Sequence, residues 1–202
     1  MKLMTRIFML CCAIVFAATI ACAESDKPVV IEEHNGRGPV VDRVRTGLTP
    51  DQRTLFDGLV EKIDSLDASP RKDSAIFYSG KVGDGPAWKI VKKVVSESNG
   101  SSMSINETQL GAYLMDAKTQ NAVGGLPPDA VRVIWDEASR KYAQSAQGKI
   151  AFIGDPKTVM QTSVFYRVEL PELLSNPSVS SESKAELLKI KQLIDAKPRG
   201  GR

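Results

Sequence analysis

Beyond residue 23 the chain contains no cysteine, because its three cysteines are Cys11, Cys12 and Cys22. That excludes a disulfide framework and any thiolate metal site from the remainder of the protein. The one histidine, His34, falls in a stretch that reads as a linker, which argues against a histidine-based triad, and a single histidine cannot build a multi-histidine metal centre. Neither sign of charge dominates: the first 23 residues hold Lys2 and Arg6 and no acid, leaving 25 basic against 24 acidic side chains after them. So even a balance argues against nucleic acid as the main partner. Internal repeats and low-complexity tracts are absent, and glycines 80, 83 and 85 match no P-loop or dinucleotide fingerprint, so they read as a turn. Any catalysis must therefore use carboxylates, hydroxyls, aromatic rings and backbone groups.

The apolar run at residues 7–20 is short for a membrane span. Preceded by Lys2 and Arg6 and followed by Ala21, Cys22 and Ala23, it has the three-part pattern of a secretory signal peptide over 1–23, with cleavage before Glu24. The expectation is a secreted protein, extracellular or periplasmic, with no stable membrane insertion once the signal is removed. Lipidation at Cys22 is the competing reading, which Thr19 and Ile20 fit less well. Residues 24–48 mix charges with Pro28, Gly36, Gly38 and Pro39 and read as a flexible leader. Residues 49–196 read as a single domain of catalytic type, long enough to bury a core. Residues 197–202 read as a loose basic tail.

Within that domain Thr49, Pro50 and Asp51 signal a helix start, and Leu55, Phe56, Leu59, Val60, Ile63 and Leu66 recur at helical spacing. Residues 74–80 read as a short buried strand with a loop at its carboxyl end. Pro86 opens a second helix with Ile90, Val91, Val94 and Val95 as its core stripe and Trp88 as a packing residue. Residues 101–108 read as extended, 109–116 as one or two helical turns, and 120–128 as loop. A third helix follows Pro127 and Pro128; Val131, Ile134, Trp135, Ala138 and Tyr142 share a face, with Ser139 one turn beyond Trp135. Residues 149–153 and 162–168 are strand candidates, the second ending at Glu169 before Leu170 and Pro171. A last helix, capped by Ser181 or Ser183, carries Leu187, Leu188, Ile190, Leu193 and Ile194. The fold class expected is α/β (α+β): a small sheet with some parallel pairing surrounded by helices, with a helical N-terminal part. Pattern alone makes Trp135 a core anchor and Glu169 a solvated edge residue.

Four short blocks change that assignment. Phe77-Tyr78-Ser79-Gly80, then Ser104 to Thr108 with Leu110 and Gly111, then Trp135 with Ala138, Ser139, Tyr142 and Ala143, then Val168-Glu169-Leu170-Pro171 occur in an order that resembles the ADP-ribosyl cyclase and NAD glycohydrolase family. The resemblance covers residues 75–174 and is closer to cysteine-free members found as toxin domains of bacterial polymorphic toxins and as secreted fungal proteins. It implies an ADP-ribosyl cyclase-like fold and NAD as substrate, with no cofactor. By position, Glu169 matches the catalytic glutamate, Tyr78 and Trp135 match the aromatic walls of the nicotinamide site, and Ser139 matches a polar residue near the ribose and phosphates. Ser79 belongs to the same first block. The second block departs from the family pattern: Asn106 stands where an acid is usual, and Glu107 comes one residue late. That acid recognises nicotinamide and biases the family toward hydrolysis, so both properties are open here.

The chemistry suits the residue types that remain. Breaking the bond between ribose and nicotinamide develops an oxocarbenium-like centre, which one ionised carboxylate can oppose. Nicotinamide leaves from a pyridinium and needs no general acid. The resemblance thus implies a secreted NAD glycohydrolase giving nicotinamide and ADP-ribose or a cyclic product, in a toxin or effector role that would bring an immunity protein or a host target as partner. The alternatives are a non-catalytic secreted effector or binding protein with the same fold, a transferase of ADP-ribose to protein, and a small secreted α/β binding domain outside the family. Asn99-Gly100-Ser101 and Asn106-Glu107-Thr108 are N-glycosylation sequons.

Overall fold

The structure, a computed structural model, describes residues 37–197. The expected signal peptide with its three cysteines, the first part of the expected leader with His34, and the tail after residue 197 lie outside the described residues.

The expected flexible leader is in part a helix: α1 spans Arg37–Thr46. Its composition is too polar to fold alone, but Val41 and Val44 pack against the core and Leu48 is buried after the helix ends. Tertiary burial supplies the stability that the local sequence does not. Helix α2, Pro50–Ser65, starts as its sequence predicts, with a reciprocal capping box in which Gln52 N–H donates to Thr49 Oγ1 and Thr49 N–H to Gln52 Oε1. Phe56, Leu59 and Ile63 are its buried stripe. At its other end Lys141 Nζ reaches the carbonyls of Ile63, Asp64 and Leu66 at 2.7–2.8 Å, placing a cation on the negative end of the helix.

Two short parallel strands form the centre. Strand β1, Ala75–Tyr78, pairs with β4, Ile150–Ile153, in the register Ala75 to Ile150 through Tyr78 to Ile153. Met103 bridges the other edge of β1 at Ala75. A continuous apolar run is what a strand covered on both faces requires, and Ala75, Ile76 and Phe77 are all buried. A two-residue hairpin, β2 (Lys81–Val82) and β3 (Gly85–Pro86), leads into α3, Ala87–Glu97. The core stripe expected on α3 is only half formed: Val91 is buried, Val94 and Val95 are half-buried, and Ile90 is exposed.

The stretch expected to be extended at 101–108 holds the Met103 bridge and then a 3-10 turn, Ile105–Glu107. Helices α4 (Gln109–Met115) and α5 (Ala117–Gly124) follow, so the loop expected at 120–128 is reduced to its last residues. Asp116 drives the difference by capping α5, accepting from the N–H groups of Lys118 and Thr119. Helix α6, Pro128–Ser145, is the longest described and buries Ile134, Ala138, Ser139 and Tyr142. Asn176 Nδ2 closes its carboxyl end on the carbonyls of Ala143, Gln144 and Ala146.

The largest departure is at residues 162–168. In place of a strand, Phe165–Glu169 is a π-helical segment that runs directly into α7, Leu170–Ser175. Val, Phe, Tyr and Thr favour strands in isolation, yet Phe165, Val168, Glu169 and Leu173 are buried at helical spacing, and burial outweighs local propensity. Pro171 has no N–H for the ladder; the wide turn, with Leu170 N–H reaching back to Phe165 C=O, absorbs the break. Helix α8, Ser181–Asp195, is capped by Ser180 rather than by Ser181 or Ser183, and Leu188 and Leu193 are exposed on it. The chain is thus an α/β fold, a small sheet with parallel pairing enclosed by helices. No described helix is long and apolar enough to cross a membrane.

Gly111 is the tightest backbone approach, since a Cβ there would lie 1.8 Å from Ile105 C=O. Gly111→Ala is expected to lower stability by about 1–3 kcal/mol in urea unfolding. Gly58, exposed in α2 with open space around it, should instead gain about 0.5–1 kcal/mol as Gly58→Ala.

Candidate active site

The carboxyl end of β1 opens into a cavity of about 830 Å³. Gly80 permits the chain to leave the strand here: its φ is +70° and a Cβ would meet Thr158 Oγ1 at 2.4 Å. Lys81 N–H then donates to the same Thr158 oxygen at 2.7 Å, fastening the turn. Tyr78 and Ser79 are thereby presented half-buried at the cavity wall.

Helix α6 supplies a second wall. Trp135, Ser139 and Tyr142 follow at helical spacing and all three line the cavity. Tyr142 is fixed by donating its hydroxyl to Met103 C=O at 2.7 Å and by its ring contact with Phe77, centroids 4.9 Å apart.

Glu169 comes from the π segment, not from a strand end as its sequence position suggested. It is 9% exposed, and the Ser139 side chain favours the ionised form of its carboxyl group. Its placement is held by contacts on either side along α6. Arg167 grips Asp136 through two bonds of 2.9 Å, and Glu172 accepts from Arg140 Nε at 3.1 Å and from Gln144 Nε2 at 3.0 Å. Arg140 also contacts Glu137. Asp136 and Arg140 thus meet Arg167 and Glu172 in order, with Ser139 and Glu169 between them.

The 3-10 turn brings the last two predicted residues. Asn106 and Glu107 both line the cavity and both are exposed. Glu107 Oε2 accepts from Ser104 N–H at 2.7 Å and Ser104 Oγ–H at 2.8 Å, so this carboxylate serves a capping box. All seven residues singled out from the sequence, Tyr78, Ser79, Asn106, Glu107, Trp135, Ser139 and Glu169, therefore face one cavity. Among the described residues, no three His, Cys, Asp or Glu side chains gather as metal ligands would.

Sequence reasoning passed over Trp88 and Lys92, which also line this cavity, and Met115. Trp88 was expected in the core and is 51% exposed. The signal available was positional: the turn after β1 is short, so the start of α3 must lie near the carboxyl end of that strand.

The electrostatics of the cavity centre on Glu169. Burial pushes its carboxyl from the ordinary 4.5 up to about 8; the Ser139 hydrogen bond works in the opposite direction and the negative charge of Asp136 adds to the rise. The phenol of Tyr78 is also raised, first by burial and then by Glu169 and Glu107. A carboxyl raised this far favours its protonated form at neutral pH.

No protein-family model matches the chain, and no curated protein does. Among solved structures it is similar to a glutamate-to-alanine mutant of ADP-ribosyl cyclase, at 19% identity over 66% of this chain and 64% of that one, with a TM-score of 0.44. It is similar also to ADP-ribosyl cyclase complexed with N1-cIDPR, at 19% identity, 67% and 64% coverage and a TM-score of 0.45. A third is Aplysia cyclase complexed with substrate NGD and product cGDPR, at 19% identity, 66% and 63% coverage and a TM-score of 0.43. The likeness is distant, and the chain spans about 64% of the length of these structures.

Between about pH 4.5 and 8 the folded protein holds a proton on Glu169 that the unfolded chain has lost, so stability falls as pH rises through that window. Glu169→Gln removes this penalty. Thermal melts should show the variant more stable than wild type at pH 8.5, on the order of a few kcal/mol, with the gap closing toward pH 5; a constant difference would contradict the buried protonated carboxyl.

Proposed function

We propose that the protein is an NAD glycohydrolase of the ADP-ribosyl cyclase kind, cleaving the nicotinamide–ribose bond to give nicotinamide and ADP-ribose or a cyclic product. The observation that carries this reading is a single buried carboxyl, Glu169, steadied by Ser139 in a cavity walled by Tyr78 and Trp135. The order of the four sequence blocks supports it.

In the proposed reaction Tyr78 and Trp135 flank the nicotinamide ring, whose positive charge favours aromatic faces. A cation entering the site also favours the ionised form of Glu169, so binding promotes loss of its proton. The carboxylate then opposes the positive charge that grows on the ribose as the C–N bond breaks and its electron pair passes to the nicotinamide nitrogen. Nicotinamide departs neutral. Water adds to the ribose carbon and loses a proton, or an atom of the substrate's own base adds and a cyclic product forms. Asn106 on the rim and Glu107, engaged at Ser104, leave Glu169 as the one buried carboxyl lining the cavity among the described residues. The signal pattern at residues 1–23 fits a secreted toxin or effector role for such an enzyme, with an immunity protein or a host protein as partner.

The second reading, a non-catalytic binding protein on the same fold, draws on Asn106 standing where the family has an acid. Incubating purified protein with NAD and following nicotinamide release separates the two. Glu169→Gln is expected to lower turnover roughly 10²–10³-fold while staying folded; near wild-type turnover in this variant would refute the assignment. Trp135→Ala should lower kcat/KM by about tenfold or more, read alongside its melting curve. For wild type, kcat/KM should climb with pH, reach half its plateau near pH 8 and level off about one unit higher, as Glu169 ionises. A flat profile from about pH 5.5 to 8.5 would contradict that role for Glu169.

A further inference from the structure

Bond cleavage as proposed uses the inner part of the cavity and leaves its rim on α3 without a task. Trp88 lines the cavity yet is 51% exposed, an unusual position for the largest apolar side chain unless something covers it. Lys92 lies four residues on, one helical turn along the same side, and lines the cavity too. It is exposed and makes no ion pair among the described residues, whereas its neighbour Lys93 pairs with Glu97 at 3.9 Å. Lys89 Nζ stands 5.7 Å from the Trp88 ring centroid and adds a second cation beside it. Met115, 52% exposed, also lines the cavity. Of the two acids in the lining, Glu107 accepts from Ser104 and Glu169 is buried, and among the described residues neither forms an ion pair with the lysine. A volume of about 830 Å³ is toward the upper end of the roughly 300–1,000 Å³ of small-molecule sites, more than one ring and one sugar fill.

The geometry points to a second subsite in which Trp88 stacks on a purine base and Lys92 engages the phosphates of a nucleoside diphosphate, making the protein selective for dinucleotides over mononucleotides. An indole offers a face to any base, worth about 1–3 kcal/mol per stacked base. A lysine ammonium is a point charge suited to phosphate oxygens. The selectivity rests on the glycohydrolase reading; the binding of the diphosphate does not.

Two measurements test it. Steady-state kinetics on NAD and on nicotinamide mononucleotide give a selectivity ratio of kcat/KM, which is expected to fall about tenfold in Trp88→Ala and in Lys92→Glu. A ratio unchanged within about twofold in both variants, because both substrates suffer equally or neither does, overturns the subsite. Separately, ADP should quench the tryptophan fluorescence of wild type, Trp88→Phe should lose most of that quench while melting like wild type, and Lys92→Glu should bind ADP about tenfold more weakly. No quench of wild type by ADP overturns the subsite whatever the activity. If wild type cleaves neither substrate but ADP still quenches through Trp88, the glycohydrolase reading falls and the subsite stands.

Discussion

The constraint on which the rest depends is the burial of one carboxyl group, Glu169, that no cation pairs among the described residues. The nearest cation in the chain, Arg167, stands two residues away and does not face it. Arg167 is committed to Asp136 instead, through a bidentate pair that the planar guanidinium makes well. The carboxyl is left with a serine hydroxyl and a desolvated wall, and its affinity for protons rises accordingly. A group so placed lowers stability at neutral pH, and the fold must recover that loss elsewhere. Strain of this kind is common where a side chain is held ready to meet a charge that arrives with a ligand.

Helix α6 is where the recovery takes place. Its buried face packs Ile134, Ala138 and Tyr142 into the core, its Lys141 caps α2, its end is capped by Asn176, and three of its residues meet the π segment in sequence. The π turn has a clear role in this arrangement. Phe165–Glu169 holds one residue more per turn than an α-helix would, and Pro171 keeps the ladder from closing past it. The wider turn sets Arg167, Glu169 and Glu172 facing Asp136, Ser139 and Arg140 together.

The cavity then divides by exposure. Toward the interior it presents half-buried aromatics, a hydroxyl and the raised carboxyl; toward solvent it presents an open indole, a lysine and a thioether. Such a gradient fits a ligand with a flat cationic end and a polyanionic end, which is the chemical outline of the dinucleotide proposed as substrate.

Local chemistry along the chain was enough for much of the framework. Thr49 and Pro50 start α2, Pro127 and Pro128 precede α6, and Ala75–Tyr78 is a strand because its residues fit a buried ladder. The seven candidate residues could be named from their order in four blocks, and they do line one cavity. The element carrying Glu169 could not be read, because the β-prone residues at 162–168 bury better as a helix against α6, a partner some thirty residues away. Helix α1 was hidden for the same reason: Val41 and Val44 find their apolar surface only in the assembled core. Trp88 could be seen as a tryptophan near a helix start, but not as an exposed one at a cavity mouth. The raised pKa of Glu169 is the furthest from the sequence, since its burial comes from segments far apart in the chain and desolvation has no local signature.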